Sequence, residues 1–433
     1  MRRIHFKTGA LAAALALLAT LPAFAQAAQP KLDSGDTAWM LTSTALVLMM
    51  TIPGLGLFYG GMVRKKNVLA TLMQSFAITC AVTVLWMVVG YSITFTNSDP
   101  NQPGRFIGSF AHLFLTGVGI NTVNALAPTI PEYVFSMFQM TFAIITPALI
   151  AGAFAERMKF SAMFIFMCLW VLLVYCPIAH WVWGGGFLGG LGVLDFAGGT
   201  VVHINAGVAG LVCALVIGKR KGYGEVNMAP HNLVLSMVGA SLLWVGWFGF
   251  NAGSAVASNA LAAVAMMNTQ VATAAAALAW MFTEWFLAGK PSLLGIVSGA
   301  VAGLVAVTPA SGFVNPTGAL VVGLVAGIVC YFAATKLKHA FGYDDSLDAF
   351  GVHGVGGIVG ALLTGVFADP AINAAGKAHS IVTQFFGVTV TIAYTAIATL
   401  IILYVVKTLV GLRPFPMEEE EGLDITQHGE VVQ

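Results

Sequence analysis

Long apolar stretches separated by short polar segments fill the chain from residue 37 to residue 406. Each is about as long as an α-helix must be to cross ~30 Å of hydrocarbon, roughly 17–25 residues. Eleven such stretches can be drawn, at approximately 37–60, 69–95, 132–154, 160–182, 197–217, 232–253, 263–288, 292–310, 316–335, 349–368 and 382–406. The pattern predicts an all-α polytopic membrane protein with eleven transmembrane helices.

Lysine and arginine are distributed unevenly between the polar segments. With the N-terminus outside, the inner segments carry 13 of the 19 basic residues and the outer segments carry 3, while the other 3 lie in the first seven residues. Because basic loops stay on the cytoplasmic side, the bias predicts an external N-terminus and a cytoplasmic C-terminus.

The apolar run at the amino end differs from the others. It follows basic residues, is too short to span a bilayer, and is followed by Ala23-Phe24-Ala25, a small-x-small cleavage pattern. A short first transmembrane helix is the alternative interpretation. We predict a cleaved signal peptide and the inner membrane of a Gram-negative bacterium. The predicted units are a signal peptide (1–25), a membrane domain (26–410) and a cytoplasmic tail (411–433).

Composition excludes several function classes. The chain is 58% hydrophobic and 9% charged, and its basic runs are short and lie between apolar stretches. We therefore expect multi-pass contact with membrane lipid and no nucleic-acid partner. The five cysteines have no metal-ligand spacing, so we predict neither a metal site nor a cofactor.

Two histidines lie inside glycine-rich apolar spans in matching contexts. Asp195 precedes His203 by eight residues, and Asp345 precedes His353 by eight residues. Glycines follow each histidine at the fourth and seventh positions. A histidine is costly to bury in hydrocarbon unless it has a partner or a cavity. The duplication predicts a polar site near the middle of the membrane.

The two contexts run in opposite directions across the membrane. A rise of ~1.5 Å per residue carries each histidine ~12 Å inward from opposite faces, to nearly the same depth. The tripeptide Thr146-Pro147-Ala148 recurs as Thr308-Pro309-Ala310. We therefore predict an inverted repeat in which spans one to five match spans six to ten, with span eleven outside it.

Several longer segments carry a resemblance to a known family. They are GLGLFYGGMVRKKN, FAERMKFSA, DFAGGTVVHINAGVAGL, GWFGFNAGSA, GKPSLLG, DDSLDAFGVHGVGGIVG and EGLDITQHGE. The chain resembles the ammonium transporters (the Amt/Mep/Rh group), and it is more similar to the bacterial channels of the Amt type than to the Rh branch. The segments extend from the first span into the tail, so the resemblance covers nearly all of the mature chain.

The resemblance implies an external recruitment site for ammonium at Phe142, Trp183 and Ser254, where ring faces attract the cation and a hydroxyl accepts a hydrogen bond. On the residues alone, an interfacial aromatic belt is the favoured explanation of Trp183. The resemblance also implies that Phe142 and Phe250 close the pore as two stacked rings, which resist hydrated ions by dewetting. Core packing is the alternative for any single phenylalanine.

The resemblance further implies that His203 and His353 line the pore. Each neutral imidazole offers one donor and one acceptor, so two in contact can share a proton while ammonia crosses. A structural histidine pair is the alternative. Asp195 would have a supporting role, as a helix cap or by stabilising the cation electrostatically. Whether ammonia or ammonium is the net species stays open.

The tail carries four successive glutamates from Glu418 to Glu421. A charge run alone predicts a solvated end, whereas the resemblance implies an ordered segment that helps to dock a PII-type signal protein. It also implies a homotrimer with one pore per subunit.

Three functions compete. The first is ammonium/ammonia transport, the second an ammonium sensor that signals through its tail, and the third a membrane enzyme. We expect no enzyme, because no further ligand accompanies the histidines within the spans.

Overall fold

The computed structural model describes residues 31–96, 106–378 and 380–432. The predicted signal peptide, residues 1–25, lies outside them. The described part is helical and contains no β-strand. In chain order the long helices are α1 Ser34–Met62, α2 Lys65–Phe95, α3 Glu132–Phe154, α4 Phe160–Gly190, α5 Gly199–Ile217, α6 Leu233–Gly253, α7 Ala260–Ala288, α8 Leu293–Val307, α9 Pro316–Phe341, α10 Phe350–Phe367 and α11 Ile381–Val410, and the tail adds the short helices α12 Pro416–Glu421 and α13 Leu423–His428.

Ten of these helices are long and apolar enough to cross a membrane, counting only the described residues. The predicted eighth span corresponds to α8, which has only 15 residues. It ends early because Pro309 follows Thr308 and cannot continue the backbone hydrogen-bond ladder. The all-α multi-pass fold is confirmed, with one predicted span shorter than expected.

Glycines let the helices approach closely in the second half. A β-carbon on Gly323 of α9 would lie 2.3 Å from the carbonyl oxygen of Ala272 in α7. One on Gly303 of α8 would lie 2.7 Å from the same atom. Small residues therefore fix the spacing of these helices, as expected where apolar burial gives no preference for protein over lipid.

Buried polar pairs also join helices. Trp170 Nε1 donates to Thr399 Oγ1 at 3.0 Å, which ties α4 to α11. Thr395 Oγ1 of α11 donates to Asn205 Oδ1 of α5 at 2.8 Å. Such bonds fix helix orientation because an unpaired polar group in this interior would be costly.

Candidate functional site

His203 and His353 meet at the centre of the bundle. Their Nδ1 atoms are 3.3 Å apart and the ring planes differ by 16°. The side chains are buried, and His203 Nε2 has no hydrogen-bond partner among the described residues. The contact is the one that the predicted matching depth requires, and the geometry allows one imidazole to donate to the other.

Glycines bring the two histidine-bearing helices together. A β-carbon on Gly207 of α5 would lie 2.2 Å from the backbone nitrogen of Gly354 in α10. One on Gly357 of α10 would lie 3.0 Å from the carbonyl oxygen of Gly199. The helices therefore cross with main chain against main chain, immediately beside the histidines.

Both histidines lie in π-helical turns at the start of their helices, Gly199–Ile204 in α5 and Phe350–Gly354 in α10. The residue three positions after each leading aspartate has a positive φ, +122° at Gly198 and +57° at Asp348. This shared local geometry supports the predicted inverted repeat.

Asp195 is the cap of α5. Its Oδ1 accepts two backbone N–H groups and its Oδ2 accepts two more, at 2.7–3.0 Å, from Gly198, Gly199, Thr200 and Val201. Burial raises the pKa of this carboxyl, and the four backbone hydrogen bonds oppose that rise. Because both oxygens are already used, the carboxylate has no free position for a direct ligand contact. The capping interpretation is confirmed.

Asp345 is the corresponding cap of α10. It accepts the backbone N–H groups of Ala349 at 3.1 Å and Phe350 at 2.7 Å. Burial and then the negative charge of Asp348 raise the pKa of Asp345 to about 6. Lys338 donates to Asp348 and to the backbone carbonyl of Asp345, which balances part of this acidic charge.

A cavity of about 270 Å³ opens at the end of the bundle next to Asp195, and we call it the vestibule. Phe142, Trp183 and Ser254, the three residues that the resemblance groups together, all line it. The Phe142 and Trp183 ring centroids are 5.8 Å apart, with planes at 88°. Trp183 Nε1 donates to the carbonyl of Asp195 at 2.8 Å, which fixes the indole.

Ser254 supplies an acceptor in the vestibule. Its hydroxyl donates to the carbonyl of Phe250 at 2.8 Å, which leaves the oxygen lone pairs for another donor. Gln139 also lines the vestibule, and its Oε1 has no partner among the described residues. Gln139 could not be singled out from the sequence, since one amide in an apolar span gives no distinctive signal.

Behind the vestibule, aromatic rings form a continuous column. The Phe142 and Phe250 centroids are 4.2 Å apart, with an interplanar angle of 33°, so the rings are in contact but tilted rather than parallel. The ring centroid of Phe250 lies 6.1 Å from that of His203. The ring centroid of Trp247 lies 5.3 Å from that of Phe250 and 5.3 Å from that of His203.

On the far side of the histidine pair, His353 borders a small enclosed cavity of about 10 Å³. The side chains around it include Phe58, Tyr59, Ser298 and Asp348. The histidines therefore lie between the vestibule and this inner cavity. Among the described residues no group of three potential ligands could hold a metal ion.

The tail packs against the opposite end of the bundle, which we call the tail end. Glu419 accepts a hydrogen bond from the backbone N–H of Lys221 at 2.8 Å, and it also accepts one from the guanidinium group of Arg413. Gln427 Oε1 accepts the backbone N–H of Phe160, the first residue of α4, at 3.3 Å. The tail is therefore docked, as the resemblance implies, although a charge run alone predicts a solvated end.

A cluster of buried charges supports the tail end. Glu156 pairs with Arg64 at 2.7 Å and with Arg220 at 3.5 Å, and Arg220 also pairs with Asp344 at 2.8 Å. Although burial opposes it, hydrogen bonding by Arg220 lowers the pKa of Asp344. These ion pairs could not be predicted from the sequence, because the paired residues lie far apart in the chain.

Comparison with known proteins identifies the family. Residues 38–433 match the family model described as "Ammonium Transporter Family". The chain belongs to the ammonium transporter family. It is 52% identical to an ammonium transporter of Aquifex aeolicus over 419 residues, covering 96% of this chain and 97% of the relative. An ammonium transporter of Bacillus subtilis is 48% identical over 407 residues, covering 92% and 98%.

Solved structures of the family share the fold. The crystal structure of Saccharomyces cerevisiae Mep2 has a TM-score of 0.81 and 35% identity, covering 89% of this chain and 88% of that one. A structure titled "Sensor Amt Protein" has a TM-score of 0.83 and 28% identity, covering 91% and 98%. The relatives from Aquifex aeolicus and Bacillus subtilis are named ammonium transporters and not enzymes, so the expectation that this transporter is not an enzyme is confirmed.

Proposed function

We propose that this ammonium transporter recruits NH4⁺ in the vestibule, removes a proton from it, and conducts NH3 past the paired histidines, which relay the proton. The observation that carries the proposal is the Nδ1–Nδ1 contact of 3.3 Å between His203 and His353, buried directly behind a closed pair of phenyl rings.

Recruitment rests on the chemistry of the vestibule walls. The faces of Trp183 and Phe142 attract a cation that has lost part of its water, and Ser254 offers an oxygen to one of its N–H groups. Potassium has a similar size but no N–H to donate. The hydrogen bond therefore adds discrimination that size cannot provide.

Conduction rests on the apolar column. The contact between Phe142 and Phe250 excludes a hydrated ion until the rings move. Beyond it, each neutral imidazole donates one hydrogen bond and accepts one, so the pair can pass a proton without a carboxylate in the pore. Asp195 holds the start of α5 in place as a cap.

A sensor function is the second candidate, favoured by the structural likeness to the protein titled "Sensor Amt Protein". In that case occupancy of the vestibule would be reported through the docked tail. Appreciable ammonium flux through the purified protein would distinguish a transporter from a protein that only senses.

We propose that several copies assemble, as a homotrimer by the family resemblance. Trp244 Nε1 donates to Gln270 Oε1 at 3.1 Å on an exposed side of α6 and α7. An open groove of about 450 Å³ lies beside them, lined by α6, α7 and α8. Polar side chains facing lipid are costly, and a second copy would cover them. Mass measurement of the intact complex in detergent tests the stoichiometry.

The remaining assignments are also proposals. A PII-type signal protein would dock at the tail end, next to residues 411–433. Residues 1–25 would be a signal peptide that directs the membrane domain, 26–410, to the bacterial inner membrane with its N-terminus outside and its C-terminus inside. Amino-terminal sequencing of the protein isolated from membranes tests the cleavage.

The central proposal is tested in proteoliposomes by measuring ammonium-evoked current and ammonia uptake on the same preparation across a pH series. Current that scales with uptake, and that is lost in a His203→Ala, His353→Ala double variant, is the expected result. Uptake without current would rule out the proton relay and leave conduction of ammonia alone.

A further inference from the structure

Trp247 is packed against the histidine pair from the side. Its ring centroid is 5.3 Å from that of His203 and the planes differ by 18°, so the indole and imidazole lie nearly parallel. The side chain is 1% exposed. Among the described residues the His203 ring is hydrogen-bonded only through Nδ1, so its tilt is limited by ring contacts with Trp247, His353 and Phe250.

Thr308 anchors the indole. Trp247 Nε1 donates to Thr308 Oγ1 at 2.9 Å, and both side chains are buried. The threonine hydroxyl donates to the carbonyl of Leu304 at 2.7 Å, so its proton points along its own helix and a lone pair faces the indole. The hydrogen bond therefore has a defined direction at both ends.

The residue after Thr308 contacts the main chain that carries His203. A β-carbon on Gly199 would lie 2.4 Å from Pro309 Cγ, so the proline ring packs directly on the first residue of α5. The backbone N–H of Phe196 donates to the Pro309 carbonyl at 3.1 Å. The dipeptide thus touches both the backbone at the start of the helix that carries His203 and the tryptophan that packs against its ring.

We propose that Thr308 is a positioning residue for the proton relay. By holding Trp247, it fixes the tilt of the His203 ring and so keeps the two Nδ1 atoms aligned for transfer. Proton transfer depends steeply on such alignment, and a misplacement of about 1 Å can lower a rate by roughly a hundredfold. This inference rests on the relay proposed above.

The first half of the chain supplies a matched control. Thr146 occupies the equivalent position in the repeated Thr-Pro-Ala tripeptide, and it is equally buried. Its hydroxyl donates to the carbonyl of Phe142 in its own helix at 2.7 Å, and no side-chain donor to it is recorded among the described residues. Thr146→Val therefore removes a similar hydroxyl without releasing an indole.

The experiment compares Thr308→Val, Thr308→Ser, Trp247→Phe and the Thr146→Val control in proteoliposomes. The readout is the ratio of ammonium-evoked current to ammonia uptake across a pH series, with the inserted amount measured for each variant. We expect Thr308→Val to lower the ratio about tenfold, a smaller loss than a full 1 Å displacement would cause. Thr308→Ser retains the acceptor and should keep most of the ratio.

Trp247→Phe keeps a ring against His203 but removes the N–H group. It should lower the ratio as Thr308→Val does, and the double variant should be no worse than either single one, because both changes break the same bond. If Thr308→Val does not insert, the comparison of Trp247→Phe with wild type still decides the matter.

If Thr308→Val and Trp247→Phe both keep the wild-type ratio of current to uptake while the histidine double variant loses it, this inference is overturned. The proposed relay would then still stand. An equal loss in Thr146→Val would also overturn it, because the effect would then be one of general packing. Wild-type uptake without any current would overturn the relay and this inference together.

Discussion

Asp424 Oδ1 accepts the backbone N–H of Ala70 at 2.8 Å, although the two residues are 354 positions apart. The other carboxylate oxygen accepts the N–H of Leu69 at 3.1 Å. The α-helical part of α2 begins at Val68, after Asn67, which gives it no side-chain cap. The tail therefore supplies the cap that this helix lacks.

Asp424→Ala should free the two N–H groups at the start of this helix and reduce stability by about 1 kcal/mol, the usual effect of losing a helix cap. Thermal unfolding in detergent, together with hydrogen exchange at residues 68–70, measures it. Glu421→Ala is the control, because that exposed neighbour has no recorded side-chain bond to the bundle. Equal protection at these amides in both variants would contradict the capping role.

Removing the chain from Gly411 onward should leave the transmembrane helices in place, because the described part of the tail, residues 411–432, contains no spanning helix. It should abolish inhibition by a PII-type partner and lower basal transport, since α2 and α4 lose their contacts with Asp424 and Gln427. A pull-down with the cognate signal protein, with and without ATP or ADP, is the measurement. Equal binding by truncated and full-length protein would show that the partner docks elsewhere.

His203→Asp or His353→Glu should relax selectivity, because a carboxylate in the middle of the pore attracts other monovalent cations. Potassium current in proteoliposomes is the measurement, and insertion of each variant is checked first. Unchanged potassium exclusion in both variants would place the histidines outside the conduction path.

Trp183→Leu should weaken ammonium recruitment, since a cation–π contact contributes roughly 0.5–2 kcal/mol. Methylammonium uptake and its inhibition by ammonium report the change in apparent affinity. Trp181→Leu is a useful control, because Trp181 Nε1 bonds to the Phe106 carbonyl and its ring does not line the vestibule. If Trp183→Leu keeps the wild-type affinity and selectivity, Trp183 has no role in recruitment and belongs to an aromatic belt.

Local patterns predicted much of the site. The equal eight-residue spacing from Asp195 to His203 and from Asp345 to His353 predicted that the two histidines share one depth, and their 3.3 Å contact agrees with that prediction. Both aspartates cap helices, which was one of the two roles considered for Asp195. These inferences succeeded because helical rise and capping depend on residues close together in the chain.

Contacts between distant segments could not be predicted in the same way. The hydrogen bond from Trp247 to Thr308 joins residues 61 positions apart, and neither side chain differs in pattern from its apolar neighbours. The length of α8 was overestimated because hydropathy continued past Thr308 although the helix does not. The roles of Phe142, Trp183 and Ser254 remain predictions, although all three line one cavity.

The close approach of Gly207 to Gly354 also bears on how the pore responds to its surroundings. Bilayers differ in thickness, and helices adapt by tilting. Because main chain lies against main chain where Gly207 meets Gly354, we expect tilting to pivot α5 and α10 about this point without separating the imidazoles. We therefore expect ammonia uptake per molecule to vary little between liposomes of short and long acyl chains, and a Gly207→Ala variant to lose that constancy.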